Sequence, residues 1–194
     1  TGVDAMPHAI ESCVSGKATN LTLDFSLRAV GRLARSLPVA FASPDDAEAR
    51  RECLLGSLEA GIAFTNSSVA LVHGMARPLG AKFGIPHGVS NAVLLEAIMR
   101  FSLPGAPERY ARLAEAMGPG PAGTPLETAR AGLGIVSRLV RELHIPRLRD
   151  LLSREALDAQ LDAMVREAVA SGSPANNPRP ASPEEIASLY GEAF

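Results

Sequence analysis

The feature that most constrains the fold is a helical pattern that recurs along the chain, with clear signals for where helices begin. At Ser43, Thr124 and Ser182 a hydroxyl side chain is followed by proline and, three residues later, by an acid. Such a side chain accepts a backbone hydrogen bond at a helix start, where proline is tolerated and an acid closes a capping box. Apolar residues recur with a period near 3.6 over 27–37 and 54–62, whereas strand-like alternation is nearly missing.

These signals predict an all-α helical bundle, with residues 1–194 forming a single all-helical domain. The predicted helices lie near residues 4–15, 22–38, 44–65, 67–82, 88–101, 107–117, 125–143, 153–170 and 183–192. An irregular Pro-rich and Asn-rich strap over 171–182 leads to the last helix. Because aromatic residues are only 4% of the chain, the core must consist of Ala, Leu and Val, which suits closely packed helices.

Composition argues against several classes of partner. The formal net charge is -2 and the basic residues are scattered, so we expect no nucleic acid and no anionic membrane as partner. The longest apolar stretches are too short to cross a bilayer. Cys13 and Cys53 form no disulfide framework, so we expect a reducing, cytoplasmic setting.

Three of the four histidines lie in settings that suit metal binding. His8 follows Asp4 by four residues, so both side chains leave one face of a helix about a turn apart. His73 has small neighbours that let another group approach, and His87 stands at a turn into the next helix. The fourth, His144, precedes Ile-Pro near a helix end and is interpreted as a surface or C-terminal capping histidine.

The same residues also have plainer interpretations. Asp4 can be a carboxylate near a helix start followed by a partly buried histidine, and His73 and His87 can be separate core or capping histidines. If the four side chains meet, three imidazoles and one carboxylate favour a borderline ion, Fe²⁺ or Zn²⁺, over Mg²⁺ or Ca²⁺. Ligand type does not separate iron from zinc. Such an ion with an open position can act as a Lewis acid on an alcohol or carbonyl oxygen.

Two long blocks around these residues resemble the iron-containing (group III) alcohol dehydrogenases. TGVDAMPHAIES over 1–12 is similar to the family's TGxDAxxHAxE block, and HGMARPLGAKFGIPHGVSNAVLL over 73–95 is similar to its HxxxHxLG…PHGxxNA block. GIAFTNSSVALVHG also follows the family's pattern, and the resemblance covers essentially the whole chain. It implies that the metal ligands are Asp4, His8, His73 and His87.

The resemblance also implies a division of roles between two halves of the family's proteins. An N-terminal α/β half binds NAD(P) through a glycine-rich turn, and an all-helical C-terminal half holds the metal. This chain has neither that turn nor alternating strands and helices, so it corresponds to the C-terminal half only. The chain also begins only three residues before Asp4, which we interpret as a fragment of a longer protein. We expect the metal and a small-molecule alcohol or aldehyde to bind here, NAD(P) to bind mainly in the missing half, and the chain alone to be inactive.

One position departs from the family's pattern. Many relatives have histidine one turn after the third ligand, where this chain has Arg77. Because guanidinium stays protonated, Arg77 cannot relay a proton; it is either an ordinary exposed arginine or a partner for a substrate carboxylate or cofactor phosphate. Phe64 and Val69 are candidates for the apolar wall of a substrate pocket, although core packing is the simpler explanation of each. Asn66 is expected to bond local backbone.

Two other functions compete with this one. Glycerol dehydrogenase and dehydroquinate synthase share the two-domain layout but typically use fewer metal ligands. A helical domain in which a metal ion only stabilises the fold, with no chemistry, is the second alternative. A homo-oligomer is compatible with either. Loss of a partner half predicts an exposed apolar or cofactor-facing surface around His73 and Arg77, and therefore self-association or poor solubility.

Overall fold

The computed structural model describes residues 2–118, 120 and 123–194, and this described part is entirely helical with no strand, which confirms the predicted all-α class. Two short 3₁₀ turns, Leu103–Gly105 and Ser173–Asn176, accompany the α-helices. The α-helices are α1 Gly2–Val14, α2 Asn20–Ala42, α3 Ala47–Ser67, α4 Leu71–Phe83, α5 His87–Ser102, α6 Pro107–Met117, α7 Pro125–Glu142, α8 Leu148–Leu151, α9 Arg154–Ala170 and α10 Pro183–Ala193.

Local caps explain why several helix bounds agree closely with the prediction. Thr124 and Ser182 are the N-caps of α7 and α10, and each forms a capping box with the acid three residues later. The prediction at Ser43 was wrong. Helix α2 continues through Pro38 to Ala42, and Ser43 ends it by donating its backbone N–H to the Val39 carbonyl. The start of α3 is instead capped by the carboxylate of Asp46, which accepts from the Ala49 amide.

The prediction of one helix over 67–82 was also wrong at its start. Helix α3 extends to Ser67 and α4 begins only at Leu71, because Ser68 adopts a left-handed φ of 65° between them. A non-glycine residue rarely takes this conformation, and it interrupts the helical hydrogen bonds. The junction turns the chain by 104°, which points the end of α3 and the start of α4 at the same region of α1.

Helix α1 lies at the centre of the packing. It contacts α2, α3, α5 and α6, and most of its residues are buried. Around it, α2 packs along α3, and α6 packs along α7 so closely that a Cβ on Gly132 would lie 2.6 Å from the Cβ of Ala114. Small side chains thus set the helix separations, as the aromatic-poor composition predicts.

The apolar stripe predicted over 54–62 faces outward. Leu54 is 72% exposed and Leu58 59%, whereas α3 packs against its neighbours through Gly56, Ala60 and Ala63. A Cβ on Gly56 would lie 2.8 Å from Leu33, so the small face lets α2 and α3 approach closely. The periodicity therefore located the helix, and the buried face is the one with small residues.

The strap over 171–182 returns the chain from α9 across α4 before α10 begins. The side-chain amide of Asn176 donates to the Val69 carbonyl, and Pro174 fits against Gly74, where a Cβ would lie 2.8 Å from the proline ring. The strap therefore fixes the junction between α3 and α4 from outside.

No single helix in the described ranges is both long and apolar enough to cross a membrane. The bent pair of α3 and α4 passes that test by length and composition only.

Candidate metal centre

Three histidines from three helices meet at one end of the bundle. His8 lies on α1, His73 in the first turn of α4 and His87 at the start of α5. One ring nitrogen from each lies within 4.8 Å of the others. The ring centroids of His8 and His73 are 4.1 Å apart, and those of His73 and His87 are 5.5 Å apart. The structure thus brings together the three imidazoles that the sequence singled out, and separates them from His144.

The hydrogen bonds of two of these rings fix which nitrogen is free. The Nδ1 of His8 lies 2.7 Å from the backbone carbonyl of Asp4, which can only accept. The Nδ1 of His73 lies 2.6 Å from the carboxylate of Glu11, which also accepts. Both rings therefore carry the proton on Nδ1 and present the Nε2 lone pair, the form in which histidine binds a metal. Burial, and then the neighbouring His73, lower the pKa of His8 and favour this neutral form.

Glu11 performs two tasks with one buried carboxylate. It orients His73, and it accepts hydrogen bonds from the backbone amides of Val72 and His73. These amides belong to the first turn of α4, whose own N-cap position, Ala70, makes no side-chain cap bond. Glu11 thus caps α4 from α1. A negative charge at this position is also stabilised by the positive end of the α4 dipole. Glu11 was not predicted from the sequence, although it shares the helix face of Asp4 and His8.

Asp4 lies beside the imidazole cluster. Its Oδ2 is 3.7 Å from His8 Nδ1, and its Oδ1 is 3.9 Å from His87 Nε2. The Asn91 side-chain amide donates to Oδ1 at 2.7 Å. Helix α5 approaches this closely because Gly88 lacks a side chain, and a Cβ there would lie 3.1 Å from the Asp4 Cβ. All four residues of the expected ligand set therefore border one small region.

This donor set fits a borderline divalent ion. It offers unprotonated imidazole nitrogens and a carboxylate, the ligands that Fe²⁺ and Zn²⁺ accept. Asn91 is wholly buried, and its carbonyl oxygen Oδ1 has no hydrogen-bond partner among the residues that the structure describes. Its nitrogen lies 3.2 Å from His73 Nε2 and 3.1 Å from His87 Nε2. An unsatisfied buried polar atom next to converging lone pairs is typical of a functional site.

The cluster opens into a pocket of about 510 Å³. Phe64 and Val69 both lie on its wall, and the Phe64 ring centroid is 4.3 Å from that of His8. Arg77 and Lys17 supply positive charge to the wall. The exposed guanidinium of Arg77 donates to the Ser173 hydroxyl at 3.1 Å and pairs with no carboxylate of the described residues. The pocket therefore combines an apolar wall, a cluster of candidate metal ligands and two cations.

The structure also agrees with the sequence-based expectations for Asn66 and His144. Asn66 donates to the Ile62 carbonyl at 2.8 Å, so it bonds local backbone as expected. His144 is exposed just after α7, with a φ of 51°, and its ring packs against Phe41. Its amide donates to the Arg141 carbonyl, which confirms the interpretation as a surface histidine at a helix end.

Comparison with known proteins agrees with the fold. A sequence model of the Fe-containing alcohol dehydrogenase family, C-terminal part, matches residues 1–194. The chain is 37% identical over 196 residues to 1,3-propanediol dehydrogenase of Klebsiella pneumoniae, and 39% identical over 197 residues to lactaldehyde reductase of Escherichia coli strain K12. Each match covers 100% of this chain and 50% of the relative. The crystal structure of a 1,3-propanediol oxidoreductase superposes with a TM-score of 0.95 at 37% identity, again over 100% of this chain and 50% of that one.

The fold and the comparisons together define an all-helical domain that gathers three imidazoles and a carboxylate at the rim of a pocket. The chain belongs to the iron-containing alcohol dehydrogenase family and corresponds to its C-terminal part. It spans about half the length of the curated relatives that it matches.

Proposed function

We propose that this chain is the metal-binding and substrate-binding part of an NAD(P)-dependent alcohol dehydrogenase. The observation that carries the proposal is the convergence of three imidazole nitrogens within 4.8 Å of one another, with Asp4 beside them, at the mouth of a pocket. The ligands would be Asp4, His8, His73 and His87, and the ion Fe²⁺ or Zn²⁺. The named relatives include a 1,3-propanediol dehydrogenase and a lactaldehyde reductase, which supports a small alcohol or aldehyde as substrate.

The chain's own residues would divide the work between binding and orientation. A bound divalent ion supplies Lewis-acid chemistry toward an alcohol or carbonyl oxygen. Glu11 and the Asp4 carbonyl keep the His73 and His8 rings turned with Nε2 toward the site. Phe64 and Val69 would exclude water from one side of the substrate. NAD(P) would bind mainly outside this chain, and the hydride would pass between the substrate carbon and the nicotinamide.

Metal affinity of the isolated chain tests the site directly. Competition with a chromophoric chelator should show binding of Zn²⁺ or Fe²⁺. His73→Ala should weaken this binding by more than the about 10–100-fold expected for loss of a residue that only supports a ligand. His144→Ala is the matched control, because His144 is exposed and outside the cluster, and it should leave the affinity unchanged. Equal effects of the two substitutions would contradict the proposed ligand set.

Activity of the whole protein separates a dehydrogenase from a domain that a metal only stabilises. The protein that contains this chain together with a dinucleotide-binding part should reduce NAD(P) in the presence of an alcohol, and lose that activity after metal removal. The chain alone should show none. If chelation lowers the melting temperature but the complete protein never reduces NAD(P), the ion has a purely structural role.

Arg77 is proposed to select substrates or cofactors that carry an anionic group. Its guanidinium lies in the pocket wall, where no carboxylate in the described part of the chain pairs with it, and arginine recognises carboxylate and phosphate groups well. In the whole protein, Arg77→His should lower kcat/KM for carboxylated alcohols relative to neutral ones. Arg100→His is the control, since Arg100 pairs with Glu96 outside the pocket. If Arg77→His leaves the ratio of kcat/KM for carboxylated and neutral alcohols unchanged, the proposed role of Arg77 is refuted.

We also propose that the chain self-associates when no partner domain covers it. The exposed apolar surface that favours this lies on α3, where Leu54, Leu58 and Ile62 form one outward stripe. It does not lie around His73, as predicted from the sequence, because His73 is buried. Burial of such side chains is favourable at about 25 cal/mol per Å². Light scattering should show concentration-dependent association, which Leu54→Gln with Leu58→Gln should reduce. A clean monomer over a wide concentration range would refute this proposal.

A further inference from the structure

We propose that Asn91 is a positioning residue for the metal centre, which holds the Asp4 carboxylate beside the three imidazoles. The inference rests on the proposed function, because it concerns how one of the proposed ligands is placed. Asn91 is wholly buried on α5, and its amide nitrogen is 2.7 Å from Asp4 Oδ1. A hydrogen bond to an ionised carboxylate is stronger than one between neutral groups.

Asp4 needs such a partner because the neighbouring His8 ring does not hold its carboxylate. Its Oδ2 stays 3.7 Å from His8 Nδ1, since that nitrogen donates to the Asp4 backbone carbonyl at 2.7 Å instead. Among the hydrogen bonds of the described residues, Asn91 supplies the one that reaches the Asp4 carboxylate.

Helix α5 is built to reach Asp4. His87 and Asn91 are four residues apart, so they leave the same helix face. Gly88, between them, removes the side chain that would collide with Asp4, since a Cβ there would lie 3.1 Å from the Asp4 Cβ. Helix α5 thus provides the proposed ligand His87, the space beside Gly88 that Asp4 occupies, and the amide that holds the Asp4 carboxylate.

The orientation of the Asn91 amide favours the bond to Asp4 over a bond for its own carbonyl oxygen. That oxygen, Oδ1, is buried without a partner among the described residues, while the amide nitrogen faces Asp4 Oδ1 and the Nε2 atoms of His73 and His87. Turning the amide over would place the carbonyl oxygen against the carboxylate. The observed orientation leaves one acceptor without a bond and keeps a donor on Asp4. A residue that only filled space at this position would not need an amide.

The test is the affinity of the chain for Zn²⁺, measured by chelator competition, together with the absorption spectrum of bound Co²⁺. Asn91→Leu keeps the side-chain size and removes the donor. It should raise the Kd by about 10–100-fold, as expected for a residue that orients a ligand, and change the Co²⁺ spectrum as Asp4→Ala does. Asn177→Leu is the matched control, because Asn177 is also buried but bonds Ser102 instead. It should leave both readouts at wild-type values.

A double-mutant comparison distinguishes positioning from general damage. If Asn91 acts through Asp4, Asn91→Leu should have almost no further effect on Kd in an Asp4→Ala background. An equal loss of affinity in both backgrounds, or an unchanged Kd in the wild-type background, would overturn the proposal. Asn91→Ala, judged by the same two comparisons, decides the matter if the leucine variant fails to fold. Failure of the wild-type chain to bind Zn²⁺ or Co²⁺ would instead refute the proposed metal centre itself.

Discussion

Replacement of Glu11 by glutamine is the most informative perturbation of this structure. The carboxylate accepts from the Val72 and His73 amides and from His73 Nδ1 at 2.6 Å, and it is almost fully buried. Glutamine offers one oxygen and turns an NH₂ group toward the remaining donors. At least one of these buried N–H groups therefore loses its acceptor.

The size of the effect follows from those bonds. A buried donor left without a partner costs about 1–3 kcal/mol, and a hydrogen bond to a charged group contributes about 1.5–3 kcal/mol. The neutral amide avoids part of the cost of burying a charge. We therefore expect the unfolding free energy of the metal-free chain to fall by about 1–3 kcal/mol, and the Kd for Zn²⁺ to rise about 10–100-fold because His73 loses its orientation.

Two measurements separate the two roles of Glu11. Urea unfolding of the metal-free chain reports the cap on α4, and chelator competition reports the orientation of His73. Glu96→Gln is the control, since its exposed pair with Arg100 should contribute at most about 1 kcal/mol. A folded Glu11→Gln variant with wild-type Zn²⁺ affinity would refute the role in orienting His73. Unchanged unfolding would refute the capping argument.

Three further predictions concern parts of the fold outside the metal centre. Burial raises the pKa of the Cys13 thiol to about 12. At pH 8, about four units below that pKa, little thiolate is present, so a thiol reagent should label only Cys53 in the native chain. Equal labelling of both thiols would contradict this. Gly132→Ala should destabilise the chain by about 1–2 kcal/mol in urea unfolding, because the clash of the new Cβ with α6 costs more than the gain in helix propensity. A variant more stable than wild type would refute the close packing of α6 and α7. Ser182→Ala should cost about 1 kcal/mol through loss of its bond to the Glu185 amide, and a melting temperature equal to wild type would show that this cap contributes nothing.

Local sequence rules predicted those parts of the fold that depend on local interactions. The caps at Thr124 and Ser182 lie within three residues of their partners, and the helices that follow them begin where expected. The start of α4 was misplaced because its cap is Glu11, 62 residues away from His73 in the chain. No rule based on neighbouring residues contains such a contact.

The candidate site was predicted in part for the same reason. The spacing of Asp4 and His8 on one helix, and the family's blocks, were sufficient to propose the four ligands. Glu11 and Asn91 were missed because their roles depend on which helices pack together. Position still offered a signal: Glu11 lies on the helix face of His8, and Asn91 lies one turn after His87. The apolar stripe of α3 does not mark its buried face, because Gly56 and Ala60 pack more closely than larger residues could.

The distribution of the imidazoles over α1, α4 and α5 has a consequence for how the protein matures. Asn91 and Asp4 are 87 residues apart in the chain, so the cluster exists only after contacts of long sequence separation have formed. The entropic cost of closing those loops is then offset mainly by the favourable free energy of helix packing. An ion that arrives afterwards finds its donors in place, whereas one that arrives earlier meets isolated pairs such as Asp4 and His8. Metal binding is therefore expected to follow folding in time. In a stopped-flow refolding experiment, the binding signal should appear only when the native topology is complete.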